Sequence, residues 1–265
     1  MANTVFENKI IEAKATDLLT TSLNTRSLMT IDNSLAATAG MTKEINVYTY
    51  DGEAKEVGIG IGNGDAEEDK RGSITYKTEP YTVKVVQQAF DYYDEDFMKD
   101  NTIVDNMLKG ANQVMVNKMT ADFIAEAKRA DNSYEFTTFG YEAIVDGIKE
   151  LNLEDESKLF VVIPNEWKAD LRKDEDYKSA RMGEVIYNGQ VGTICGIPVI
   201  ATKALKDEAY IMTAEAIKLF MKKDVEVEQD RDVNHRENSV YLRAVYVCAL
   251  VDNTKICKLT AKATV

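Results

Sequence analysis

The sequence predicts an α+β fold, and three observations predict it. Strand-type residues alternate at 45–50 and resume at 74–93 on either side of a glycine-rich stretch; apolar residues recur every three or four positions through 101–130; short helical and strand-like segments then follow to residue 251. The 265 residues are 45% hydrophobic and 29% charged, which is ordinary globular usage and enough length to bury a core.

Residues 1–40 scatter Thr, Asn and Ser among Phe6, Ile10, Ile11, Leu18, Leu19, Leu23, Leu28 and Ile31, and Gly40 ends the stretch. No compact unit emerges from that pattern, so it reads as an arm that packs on something else. In 45–50, Ile45, Val47 and Thr49 alternate with Asn46, Tyr48 and Tyr50, a period of two. The run ITYKTEPYTVKVVQQAFDYY at 74–93 is also strand-like, with Pro80 restricted to an edge or a break. Together they predict a long hairpin with GIGIGNGDAEEDKRG at or near its tip. Two strands are barely stable alone in water, so the hairpin needs a neighbouring surface.

The stretch 101–130 places Val104, Leu108, Ala111, Met115, Met119 and Phe123 on one helical stripe, with Asn101 or Thr102 available as cap and Asp105 favourable in the first turn. Thirty helical residues would reach roughly 45 Å, the length of a spine. Beyond it the sequence predicts an amphipathic helix at 139–153, a buried strand LFVVIP at 159–164 and a helix in NEWKADLRKDEDY capped by Asn165. The segments GTICGIPVIAT (192–202), AYIMTAEAIKLFMKK (209–223), DVEVEQ and SVYLRAVYVCALV complete the chain.

A formal charge of -13 repels polyanions, and Lys and Arg nowhere gather into a stripe, which argues against sequence-reading nucleic-acid binding. The N-terminus lacks the cationic start and apolar run of a secretory signal, and the longest apolar run, AVYVCALV at 244–251, is too short to cross a bilayer. Cys195, Cys248 and Cys257 are odd in number, widely spaced and without a CxxC pair, so they read as small buried thiols.

None of the motifs that suggest chemistry keeps its context. Glycines 58, 60, 62 and 64 lack the helix that a dinucleotide fingerprint needs, Asp65 stands where the register wants Gly, and no GK[ST] ending makes a P-loop. Asp230, Asp232 and Asn234 open like a calcium loop, but His235 and Tyr241 occupy the positions of its Gly and Glu, so a charged turn is expected. His235 is the single histidine, flanked by charge and with no nucleophile elbow. Asp91, Asp94, Glu95 and Asp96 suit a helix start, and Trp167 suits core or interface packing.

The order of these segments, and the runs KLFVVIPNEWKADLRK, GQVGTICGIPVIATKAL, AYIMTAEAIKLFMKKDVEVEQDRD and VYLRAVYVCALVDNTKICKLT, resemble the major capsid proteins of tailed phages, the Hong Kong 97 fold, over essentially the whole chain. The resemblance implies an N-terminal arm at 1–40, an extended loop at 41–90, a peripheral domain at 91–135 and 236–265, and an axial domain at 136–235. It implies a structural protein and no enzyme, with no catalytic residue, metal or cofactor. Its partners would be copies of itself in hexamers and pentamers, a separate scaffold protein and a portal. The head would enclose double-stranded DNA without sequence-specific binding, in a virion assembled in the bacterial cytoplasm with no membrane part. Expected contacts between subunits are Val57, Gly58, Gly60, Gly62, Gly64, Lys70 and Arg71 in the extended loop, and Phe6, Ile10 and Leu18 in the arm. Some relatives crosslink an extended-loop lysine; Lys55 and Lys70 lie in that region, and solubility or salt bridging is their plain reading. The alternatives are an encapsulin-like compartment shell and, from another class, a soluble nucleotide- or metal-dependent enzyme built on the glycines or the Asp230 cluster.

Overall fold

The computed structural model describes residues 28–37, 40–51, 73–99, 102–175, 177 and 192–262. Three sheets organise them. In the first, β1 (Thr30–Asp32), β10 (Ile217–Asp232), β11 (Glu237–Leu250) and β4 (Lys84–Tyr93) lie in that order, β1 parallel to β10 and the other pairs antiparallel. In the second, six strands run β5 (Ser133–Phe136), β12 (Ile256–Ala261), β9 (Glu208–Thr213), β6 (Leu159–Pro164), β8 (Ile197–Thr202) and β7 (Thr193–Ile194). The third is a two-stranded antiparallel ribbon of β2 (Thr42–Asp51) and β3 (Ser73–Thr82).

The ribbon is the hairpin that the alternation predicts, and Pro80 sits opposite Glu44 where a two-stranded sheet has only edges. Val83 alone separates β3 from β4, so the chain passes from the ribbon into the first sheet within one residue. Its buried side chain and its N–H bond to the Met41 carbonyl fix that passage.

Four helices complete the described fold: α1 (Asp94–Lys99), α2 (Ile103–Ala127), α3 (Tyr141–Leu151) and α4 (Lys168–Lys173). The spine is α2, whose 25 residues span about 38 Å at 1.5 Å per residue. All six stripe residues read from the sequence are buried, and Val116, Ile124 and Ala127 widen the stripe. Thr102 is its N-cap residue, as expected, but makes no side-chain capping bond, while Asp105 stands in the first turn. On one side the stripe meets Leu219, Val227, Val240 and Leu242 of the first sheet; on the other it meets Phe160, Val162, Tyr210 and Met212 of the second, all in one cluster.

In the second sheet every residue of β6 is buried, which is why its sequence shows no alternation. There α3 packs close over β9 and β12: a Cβ on Gly147 would stand 2.6 Å from Leu259 Cδ2 and 2.7 Å from Ile211 Cδ1. Asn152 stops the helix in the left-handed conformation, φ 45°. Cys195 and Gly196, at φ 52° and 82°, form the two-residue turn between β7 and β8.

Two expectations need correction. Trp167, not Asn165, is the residue before α4; the Asn165 N–H goes to the Thr202 carbonyl, continuing the sheet instead of opening a helix. The segments at 209–223 and DVEVEQ are redistributed: β9 ends at Thr213 and β10 runs unbroken to Asp232, with register shifts after Met221 and Lys223 that bend it. In the first sheet β10 lies between β1 and β11, whereas β12 lies between β9 and β5 in the second.

One buried group works against stability. Asn112 in α2 is 2% exposed, and neither its Oδ1 nor its Nδ2 has a hydrogen-bond partner. Asn112→Leu, with the same branched heavy-atom skeleton and without that desolvated amide, is expected to raise subunit stability by about 1–2 kcal/mol in urea unfolding. A loss of stability would show instead that the amide is satisfied by a bound water.

Candidate interaction surfaces

The residues expected to touch other subunits, Val57, Gly58, Gly60, Gly62, Gly64, Lys70 and Arg71 in the loop and Phe6, Ile10 and Leu18 in the arm, lie outside the described residues, as do Lys55 and the glycine-rich run. What the structure does describe is where both segments are rooted.

The ribbon is rooted at the C-terminal end of α2. Ile45, Tyr81 and Val83 pack there with Leu35 against Phe220, Val245, Val247 and Ala249 on the face of the first sheet opposite α2. A polar junction lies beside this apolar seat. Arg129 reaches from just past the helix: Nη2 donates to Glu79 Oε2 at 2.8 Å, and Nη1 donates to the Tyr81 hydroxyl at 3.1 Å and to Glu126 Oε2 at 3.0 Å. The Tyr81 hydroxyl has two acceptors in reach, the Leu250 carbonyl at 3.1 Å and Glu79 Oε2 at 3.2 Å. Glu126 also accepts from the Leu250 N–H at 3.3 Å, so ribbon, helix and the end of β11 share one network. The Arg129 guanidinium lies 5.4 Å from the centre of the Tyr81 ring. Burial, reinforced by the nearby Glu126 carboxylate, pushes the Tyr81 phenol up to about 12.

The opposite end of the first sheet is charged and carries exposed apolar side chains. Asp94 binds Arg231 at 2.7 Å and Asn238 at 2.8 Å, and Glu95 binds Arg236 at 2.9 Å, so half of the acidic cluster read from the sequence pins α1 to the β10–β11 turn. Around these pairs stand Tyr93, Met98 and Val233, with Met98 83% and Val233 76% exposed.

The groups that suggested chemistry are engaged in structure. Asp232 Oδ1 accepts from the Asn234 N–H at 2.8 Å and its Oδ2 lies 2.7 Å from His235 Nδ1, so the end of β10 closes on the turn at 233–236, a charged turn as expected. This contact holds the Asp232 carboxyl below its usual range and lifts the His235 imidazole. Cys248 and Cys257 are buried, and burial raises their thiols to about 12 and about 11, which leaves them protonated and inert. Cys195 departs from expectation: it is exposed at its tight turn, 3.2 Å from the Tyr141 hydroxyl. Trp167 packs edge-on to Phe136 with ring centres 5.3 Å apart. No helix among the described residues is long and apolar enough to cross a membrane.

Sequence reasoning missed the Arg129 junction. Arg129 follows the last periodic residue of α2, and Glu79 and Tyr81 flank Pro80; only the three-dimensional return of the ribbon onto the helix end connects them.

No protein-family model matches the chain. A curated protein, the major capsid protein of Staphylococcus phage phiMR11, is 24% identical over 251 residues, covering 88% of this chain and 85% of the relative. Among solved structures, the capsid of cyanophage P-SCSP1u superposes with a TM-score of 0.69 at 10% identity, covering 89% of this chain and 87% of that one. A virus-like particle from Pyrococcus furiosus gives 0.66 at 10% identity over 95% and 98%, and the capsid of a native GTA particle 0.65 at 12% over 99% and 93%. At such identities the structural likeness establishes the fold these shell proteins share.

The junction makes two linked predictions. Tyr81→Phe removes one donor and one acceptor and should cost about 1 kcal/mol at neutral pH. A folded-state pKa raised from 10 to about 12 contributes stability that is complete below pH 10 and lost as pH rises toward 12. Wild type should therefore lose more stability than Tyr81→Phe between pH 10 and 12 in denaturant titrations; identical slopes would contradict the assignment.

Proposed function

We propose that this chain is the major capsid subunit of a tailed phage or prophage, a structural protein that assembles with copies of itself into a closed icosahedral head. One structural observation carries the reading. The β2–β3 ribbon pairs with neither of the other sheets among the described residues and is seated on the body through its base. A two-stranded hairpin of this length does not hold itself in water, so a second copy is the natural surface for its outer part. The name of the phage relative and the shared fold of the capsid structures support the same conclusion.

In this reading the first sheet with α2 forms the peripheral domain. The second sheet with α3 and α4 forms the axial domain around the centre of each hexamer or pentamer. The hairpin is the extended loop, and residues 1–27 are the arm. Each overlap is modest, and many reciprocal overlaps around closed rings make the shell persist. The charge of -13 suits a container that holds double-stranded DNA without gripping it. A separate scaffold and a portal are the further partners, with assembly in the host cytoplasm.

A second reading, a compartment shell around protein cargo, is less favoured, since the capsid of the native GTA particle is matched as completely as the Pyrococcus furiosus particle. The contents of purified particles separate the two, nuclease-protected DNA for a head and a protein cargo for a compartment.

Purified protein is expected to form closed shells visible by negative-stain electron microscopy. Deleting residues 56–72 should leave the circular dichroism spectrum and urea midpoint of the subunit nearly unchanged while abolishing shells. A wild-type chain that stays a small monomer at every concentration would sink the proposal, and loss of fold on deletion would place the segment in a core.

A further inference from the structure

A groove of about 530 Å³ runs between α2 and the open end of the second sheet. Val116, Phe123 and Ile124 of α2 supply one wall, Val162 and Ile200 the other, and Leu28 borders it. Its lining on α2 extends from Gln113 to Ile124, about 16 Å at 1.5 Å per residue. Lys203 is the only charged residue among the described residues that line it, so the groove offers little to a charged metabolite and much to apolar side chains.

The chain delivers such side chains to its border. Leu28 lines the groove, so residues 1–27 lead away from it, and Leu18, Leu19 and Leu23 lie within ten positions of that point. Five extended residues reach about 17 Å and ten helical ones about 15 Å, so in either conformation these leucines can cover the groove's length. A tether this short gives them a high effective concentration that a second copy's segment must outcompete.

We infer that the groove is filled by the Leu18–Leu23 stretch of the same subunit, which leaves only the more distal part of the arm, with Phe6 and Ile10, to reach a neighbouring copy. This removes Leu18 from the contacts between subunits and makes the first third of the arm inward from Leu28 part of the subunit's own core. The inference concerns one folded chain and holds whether or not the chain builds a shell.

The test is thiol reactivity in the full-length chain carrying Cys195→Ser, since Cys248 and Cys257 are buried and give a low background. Leu23→Cys and, separately, Thr4→Cys are labelled with a maleimide in unassembled subunits. Labelling at position 23 is expected to be at least tenfold slower than at position 4, and Leu19→Cys gives the same reading should Leu23→Cys fold poorly. Equal rates would overturn the inference. Protection of position 23 that arises only once particles form would assign the groove to another copy and overturn it as well.

Discussion

Burial of the α2 stripe is the constraint on which the rest of the molecule depends. A helix of 25 residues presents its apolar face to two sheets at once, and the cluster around it contains Leu219, Val240 and Leu242 from one and Phe160, Val162 and Tyr210 from the other. Neither sheet could cover that stripe alone, so the two are held as one body. The second sheet is then free to build its own separate core on its far face, where Ile144, Ile148, Ile163, Ile211 and Leu259 pack beneath α3. Because the body is tied through the middle of the helix, its C-terminal end is left as the place where the ribbon leaves.

At the C-terminal end of α2 this has a direct result. The ribbon needs a seat, and it finds one where Arg129, two residues beyond the helix, faces Glu79, Tyr81 and Glu126. Two carboxylates this close repel each other unless a cation stands between them, and the planar guanidinium reaches both while also resting over the phenol. Arg129 is about half exposed, so its ion pairs are individually weak. Their value lies in direction: three hydrogen bonds from one side chain set the resting angle at which the ribbon leaves the body.

Much of the fold was legible in the sequence because burial leaves a pattern there. The stripe of α2 is buried on one side and repeats every three or four residues, whereas β6 is buried throughout and reads as a continuous apolar run. Strand membership was not legible. The buried strands β10 and β12 present similar apolar runs to either sheet, so nothing in FMKKDVEVEQ or ICKLT says which partner each will find; the short turn at 233–236 and the reversal at Asn253–Lys255 decide it. The helix start near Asn165 failed for a related reason, since a polar residue after a strand can keep its backbone bond to the sheet. Cys195 failed because its exposure comes from a two-residue turn whose positive φ values the flanking apolar residues conceal. The interaction residues rest on the resemblance alone, and composition marked the loop and the arm only as segments without a core of their own.

The division of labour between body and appendage also bears on the proposed assembly into a closed surface. Copies of a subunit in a shell meet neighbours at angles that differ from place to place, whereas a close-packed core tolerates little deformation. The variation therefore has to be taken up where few contacts must change. Here the passage from ribbon to body is a single residue, Val83, between two sheets that share no strand. Rotation there would disturb the Tyr81 and Arg129 hydrogen bonds, each worth about 1 kcal/mol, and leave the α2 core intact. The same arrangement explains the junction's polarity: an apolar seat alone resists tilting over a whole face, while exposed ion pairs can lengthen, take up water and re-form.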